Sequence, residues 1–484
     1  MIRFATYFRL AVFLLFPSSW AWADVRLPNI LGSGMVLQRD SEVRIWGWAD
    51  AGEPVAVRGD WNDAPVRTVT KPDGSWQVRL RTGPASGPHS IRITGHNQLT
   101  LDDVLFGEVW LASGQSNMEM PLCPVSGAYT GTQDYEVEIQ AAEHPEIRLF
   151  QVGNFASKTP QEDVVAGISV YGVPIPEQQW NPCTAQSVAN FSATAYYFAR
   201  QLHVELNVPI GIIDASWGGT PAEAWTPLEG LRKIGDAEAI AAAEQQPDEP
   251  DLQQCPTRLY NGMIHPLRQM TLRGVIWYQG EGNIRRASRY RELFSTMITQ
   301  WRKAFDAEIS FYFTQISPFR YRDSTDASAL LREAQLQTLT VSRTGMVVTM
   351  DIGDLGDIHP KNKQEVGRRL ALWALTQDYG RQLAYSGPLF KAATFGNGRA
   401  TLSFDHVGGG LKTRDGQPPS HFQLAGEDRI FHDATAVIVG DTVVVTSDEV
   451  AQPRAVRYGF TDTAEPNLTN DAGLPASSFR SDDW

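Results

Sequence analysis

Four short segments of this 484-residue sequence carry the residue types needed for acyl transfer through a serine. They are Gly114-Gln115-Ser116-Asn117-Met118, Trp217-Gly218-Gly219-Thr220, Tyr278-Gln279-Gly280-Glu281-Gly282-Asn283, and the stretch from Asp351 to His359, followed by Pro360. A free serine hydroxyl is a weak nucleophile. It needs a base within hydrogen-bond reach and a third group to orient that base. Ser116 is the candidate nucleophile and His359 the candidate base. Attack on a carbonyl places negative charge on its oxygen, so donors must already be in place. The backbone N–H of Ser116, a backbone N–H at Gly218 and the side-chain amide of Gln279 could supply them. This chemistry requires neither a metal nor an organic cofactor. Taken singly, each segment reads as ordinary turn chemistry. What distinguishes them is that each follows a predicted strand.

The intervening sequence supplies those strands. Val104 to Leu111, Ile210 to Asp214, Gly274 to Tyr278, Ile309 to Ile316 and Met346 to Met350 are apolar runs. Helical spacing separates them, around 187–206, 290–305, 329–339 and 361–379. Alternation of strand and helix predicts an α/β fold: a three-layer α/β/α sandwich with a mostly parallel five-stranded sheet. In such sheets chemistry gathers beyond the carboxyl ends of the strands. Residues 24–103 instead show period-two runs such as Val43-Arg44-Ile45-Trp46-Gly47-Trp48, broken by turn signals such as Pro72-Asp73-Gly74. They predict a β-sandwich-like domain. From 388 to 484 the chain returns to β, with Ala400–Phe404 and Thr442–Thr446. The catalytic domain is therefore expected over 104–387.

Residues 1–23 read as a secretory signal peptide, with Arg3 and Arg9 before or beside the apolar run Leu10–Phe16 and Ala21-Trp22-Ala23 as cleavage site. Export to the periplasm or beyond follows as an expectation. That apolar run is too short to span a bilayer, and no later stretch is apolar enough to do so. A net charge of −13 disfavours a nucleic-acid partner. Cys123, Cys183 and Cys255 match no zinc spacing and read as structural. Export permits one bridge among them, and an odd count leaves at least one thiol over.

The four segments, taken as Trp110 to Met120, Trp217 to Trp225, Trp277 to Glu281 and Gly356 to Pro360, resemble the SGNH-hydrolase superfamily. They look most like its sialate O-acetylesterase and carbohydrate acetylesterase branch. Met35-Val36-Leu37-Gln38, Pro466-Asn467-Leu468 and Gly473-Leu474-Pro475 extend the resemblance over nearly the whole mature chain. It implies Ser116 as nucleophile, Ser116 and Gly218 as oxyanion donors, Gln279 in the place of the superfamily's asparagine, and His359 as base and then acid. The superfamily keeps an aspartate three residues before the histidine, where this sequence has Gly356. Asp357 is preferred as triad acid, with Glu281, Asp354 or a backbone carbonyl as alternatives. The implied reaction is hydrolysis of acetyl esters on a sugar or oligosaccharide. The substrate is either a sialate or an acetylated hemicellulose such as xylan or xyloglucan, and the motifs do not separate these. Aromatic residues beside the site and the acidic charge favour a neutral glycan. Arg285, Arg286 and Arg289 would suit an anionic sugar, but read better as a solvated helix face. The alternative from another class is a carbohydrate-binding protein with a degenerate hydrolase core.

Overall fold

The computed structural model describes residues 24–165, 167–168, 174–175, 180–245 and 252–484. The expected signal peptide lies outside them. The organising element is β7 (Gln98–Gly114), a 17-residue strand. Its first half completes the N-terminal β region, and its second half is the middle of the central sheet. In the N-terminal region β7 pairs with β1 (Val36–Gln38) and with β6 (Ser86–Thr94). β3 (Pro54–Gly59) joins β6 to β4 (Val66–Val69). β2 (Glu42–Trp48) and β5 (Ser75–Arg81) form a separate antiparallel pair. Alternation is visible in β5, where Trp76, Val78 and Leu80 are buried and the residues between them face outward. The boundary read at 103/104 falls inside β7, where Asp103 has a left-handed backbone (φ 56°).

The rest of the central sheet comprises β8 (His144–Gln151), β11 (Asn181–Cys183), β12 (Ile210–Ser216), β13 (Gly274–Tyr278), β14 (Ser310–Thr314) and β15 (Thr344–Val347). A small pair, β9 (Gly167–Ile168) and β10 (Pro174–Ile175), stands apart. The strand order is β11-β8-β12-β7-β13-β14-β15. All neighbours are parallel except β11 against β8. Five strands were expected, and each has a counterpart here. β8 and β11 were not anticipated because their sequences hide them. β8 opens on His144-Pro145-Glu146 and has only four consecutive buried residues, and β11 is three residues around Pro182.

Helices cover both faces of this sheet. α1 (Ser116–Glu119), α2 (Tyr135–Gln140) and α3 (Ala185–Val188) are short. α4 (Ala193–Leu206) is followed, beyond the short α5 (Leu228–Lys233) and α6 (Ala237–Glu244), by α7 (Ala287–Phe305), α8 (Ala327–Gln337) and α9 (Lys363–Gln377). Period two in β7 divides the core. Trp110 and Ala112 pack with Phe198 and Leu202 of α4 and Leu370 and Ala374 of α9. Val109 and Leu111 belong to the other core, with Phe294, Met297 and Trp301 of α7. No described helix is long and apolar enough to cross a membrane.

Antiparallel strands between Leu389 and Arg480 build a C-terminal β region with its own core, including Leu402, Leu424, Val443 and Tyr458. It docks on α8 through buried polar groups. The Arg332 guanidinium donates to Ser478 Oγ, Ser328 Oγ and the Gly459 and Thr461 carbonyls, and Ser328 donates to Asp462. Cys123, Cys183 and Cys255 are all free thiols, so the bridge that export would permit is not formed. Cys183 is buried, which pushes its thiol up to about 12 and leaves it unreactive.

A buried arginine anchors the start of the loop from β15 to α9. Arg369, nearly fully buried, donates to both oxygens of Asp351 at 2.8 and 2.6 Å and to the Val348 carbonyl at 2.7 Å. Removing one partner strands a buried charge. Arg369→Met is therefore expected to lower stability by about 3–5 kcal/mol in urea unfolding, and to reduce activity by loosening this loop.

Candidate active site

Three parallel strands end at the same level. β7 places Gly114 opposite Tyr278 of β13 and Ser216 of β12. Ser116 begins α1 directly after β7, which presents its hydroxyl at the carboxyl edge of the sheet. As the first residue of that helical turn, its N–H has no intrahelical acceptor. Gln115 ties the neighbouring loop to this edge by accepting the Gly282 N–H at 3.2 Å and the Gly280 N–H at 3.4 Å.

His359 arrives from the loop anchored by Asp351. Its Nε2 lies 2.9 Å from Ser116 Oγ, a hydrogen bond between groups 243 residues apart. With the ring proton on Nδ1, Nε2 accepts from the hydroxyl, the arrangement a general base requires. Asp357 Oδ1 lies 3.5 Å from Nδ1 and also accepts the His359 backbone N–H at 2.9 Å. The loop bends enough for a carboxylate two residues away to reach the ring's side. The two rival carboxylates are engaged elsewhere. Asp354 Oδ1 accepts the N–H groups of Gly356 and Asp357 and shapes the turn. Glu281 Oε1 accepts from Asn117 Nδ2 at 2.7 Å, while its Oε2 is buried without a hydrogen-bond partner among the described residues. Burial holds the Glu281 carboxyl above the usual carboxylate range.

Burial, and then the Lys363 ammonium, push the His359 imidazole down to about 4, with Asp357 opposing. The base is therefore unprotonated over most of the accessible pH range.

The expected oxyanion donors fare differently. Gly218 does face the pocket, but its N–H donates to Glu119 Oε2 at 2.7 Å. Tyr129 Oη donates to the same oxygen at 3.1 Å. A Cβ at position 218 would sit 2.9 Å from that carboxylate oxygen and 3.3 Å from Ser116 Cβ, so glycine keeps this approach open. Gln279 requires a correction. It is fully buried, and its amide donates to Thr220 O at 3.2 Å and Asn283 Oδ1 at 2.8 Å while accepting from Tyr290 Oη. Both amide protons are used in joining loops, so Gln279 braces the site and offers no donor to a substrate oxygen. Its place in the motif gave no sign of which way the amide would turn.

Ser116, His359, Gly218, Glu119, Tyr129, Trp217 and Glu281 line a cavity of about 480 Å³. Glu119, Tyr129 and the buried Lys363 were not singled out as functional in the sequence. Glu119 carried a usable signal, three residues after the nucleophile, whereas Tyr129 and Lys363 carried none. Trp225, Trp277 and Tyr278 are core residues, leaving Trp217 as the one of the four flanking aromatics on the pocket wall. The three arginines do not line it. Arg286 pairs with Glu223 and Arg289 with Asp236, while Arg285 is exposed near Asp323. A larger cleft of about 660 Å³ between the N-terminal β region and the core is lined in part by Arg44, Trp46 and Arg268, and none of the four strand-end segments reaches it.

Residues 107–376 match the family model described as carbohydrate esterase, sialic acid-specific acetylesterase. The sialate O-acetylesterase of Rattus norvegicus is 32% identical over 434 residues, covering 77% of each chain. That of Homo sapiens is 31% identical over 410 residues, covering 76% of this chain and 75% of its own. A crystal structure of a carbohydrate acetylesterase from Xanthomonas citri superposes with a TM-score of 0.84 at 39% identity, covering 95% of this chain and all of the other. The chain belongs to the carbohydrate esterase family of sialic acid-specific acetylesterases.

Proposed function

We propose that this carbohydrate O-acetylesterase works through a Ser116–His359 pair oriented by Asp357, on an SGNH-like three-layer core, and that it acts on neutral acetylated sugars. The observation that carries the mechanism is the 2.9 Å contact between His359 Nε2 and Ser116 Oγ at the floor of the pocket. Ser116 Oγ attacks the acetyl carbonyl while His359 takes its proton. The imidazolium then protonates the departing sugar oxygen. Water, activated by the same imidazole, cleaves the acetyl-serine and releases acetate. The Ser116 N–H faces the developing oxyanion, and the Gly218 N–H joins it once Glu119 yields that donor. An intact nucleophile and base argue against a binding protein with a degenerate core.

The pocket's charge supports the substrate class. Its lining carries Glu119 and Glu281, and no Arg or Lys is among the described lining residues. A sialate carboxylate would meet carboxyl groups here and no bidentate partner. Trp217 offers an apolar face to a sugar ring. The leader-like residues 1–23 support export to the periplasm or beyond, where acetylated glycans are met.

Ser116→Ala is expected to abolish acetate release from acetylated xylan or xyloglucan and from 4-nitrophenyl acetate. Equal turnover by wild type and variant would refute the nucleophile. Release from O-acetyl sialic acid faster than from both glycans would refute the neutral-sugar reading. Asp357→Asn should lower kcat more than Asp354→Asn or Glu281→Gln does, by about 10²-fold or more if it orients the base. Because His359 must be unprotonated, the acid limb of kcat/KM should lie near about 4. An acid limb near the ordinary histidine value, about 6.5, would show that the imidazole is not held as described.

A further inference from the structure

Behind the catalytic pair lies a buried cluster that the acyl-transfer steps do not themselves use. Lys363 is the first residue of α9, and its side chain is completely buried. Its Nζ donates to Asn117 Oδ1 at 2.5 Å and lies 5.3 Å from the centre of the Tyr278 ring. Asn117 Nδ2 donates to Glu281 Oε1 at 2.7 Å and to the Ile358 carbonyl at 3.0 Å. One amide therefore uses its oxygen and both its protons. Asn117 follows Ser116 directly, and Ile358 precedes His359 directly. This single side chain bridges the loops that carry nucleophile and base.

The ammonium decides the sense of that bridge. An ammonium only donates, so it requires the amide oxygen. Were the amide reversed, its NH2 would meet the ammonium. Its oxygen would then face the Glu281 carboxyl and the Ile358 carbonyl.

We propose that Lys363 is a positioning residue, whose ammonium, through Asn117 and Ile358, holds the His359 imidazole against Ser116 Oγ. The inference rests on the Ser116–His359 reading above and goes beyond it. The same charge acts on the base. The groups facing His359 are Asp357 from its own loop, Lys363 from α9, Ser116 of α1, Glu119 of α1 across the pocket, and Tyr129, whose ring meets the imidazole edge-on at 5.0 Å. Lys363 is the cation among them. Burial holds Lys363 itself down to about 7, with Glu281 and Asp357 opposing, so it is charged throughout the range where His359 titrates. Its charge disfavours the imidazolium, and removing it raises the pH at which the base is lost.

The test is steady-state hydrolysis of 4-nitrophenyl acetate by the full chain across pH 3.5 to 8. Lys363→Met should lower kcat by about 10- to 100-fold with KM little changed, because a displaced base costs rate more than binding. Its kcat/KM acid limb should move up by about one pH unit. Asn117→Ala, which breaks the bridge but keeps the charge, should lower kcat and leave the limb where it is. A folded Lys363→Met variant with kcat within about twofold of wild type, or with an unmoved limb, overturns the proposal. Should Lys363→Met fail to fold by circular dichroism, Asn117→Ala decides, and wild-type kcat there overturns it equally. Ser116→Ala run alongside separates the two levels. If it keeps activity, the catalytic pair itself is wrong; if it is dead, the outcome concerns Lys363 alone.

Discussion

The site depends on how closely β7 and β13 approach at Gly114. There the backbone takes φ 140°, and a Cβ would overlap the Tyr278 carbonyl oxygen. Only glycine meets both demands. Because parallel strands have evenly spaced ladders, this one approach sets the level at which three strands stop. Ser116, Gly218 and Glu281 then emerge together, although more than 160 residues separate the first from the last. His359 reaches the same point by a different route. Its loop is held from below by the Arg369–Asp351 pair and from the side by Asn117.

Much of the cost of the site is electrostatic. Lys363, Glu281 and Glu119 are withdrawn from water, and His359 is half-buried. Burying ionisable groups is unfavourable unless they are paired or neutral. Here the solution is mixed. Burial favours the neutral form of His359 and raises Glu281 toward its neutral form, while Lys363 is spread over Asn117 and the Tyr278 face. The result is a base that is free by default, with the Asp357 carboxylate beside Nδ1 to favour the imidazolium that forms during the reaction.

The flanking β regions are joined to this core by charge as well as by apolar packing. Fully buried Glu108, midway along β7, accepts from Arg39 and Gln38 on the N-terminal side and from Arg273 and Tyr379 on the core side. Arg332 and Asp462 play the matching part at the C-terminal end. Each is a network in which losing one member strands the others, so relative movement of the parts is opposed by the desolvation already incurred.

The sequence by itself determined the alternation of strand and helix, the β character of both ends, and the four strand-end segments that hold Ser116, Gly218 and His359. Apolar period and turn chemistry are local properties, written within a dozen residues, so they could be read directly. β8 was lost because Pro145 and Glu146 mask its start. Which carboxylate approaches the imidazole was decided only by tertiary structure, since Asp354, Asp357 and Glu281 are equivalent until a loop bends and Asn117 claims Glu281. The same is true of Gln279, whose amide turns to Thr220 and Asn283, of Glu119 on the Gly218 N–H, and of the role of Lys363. Burial and hydrogen-bond direction come from contacts between distant segments, and no spacing along the chain encodes them.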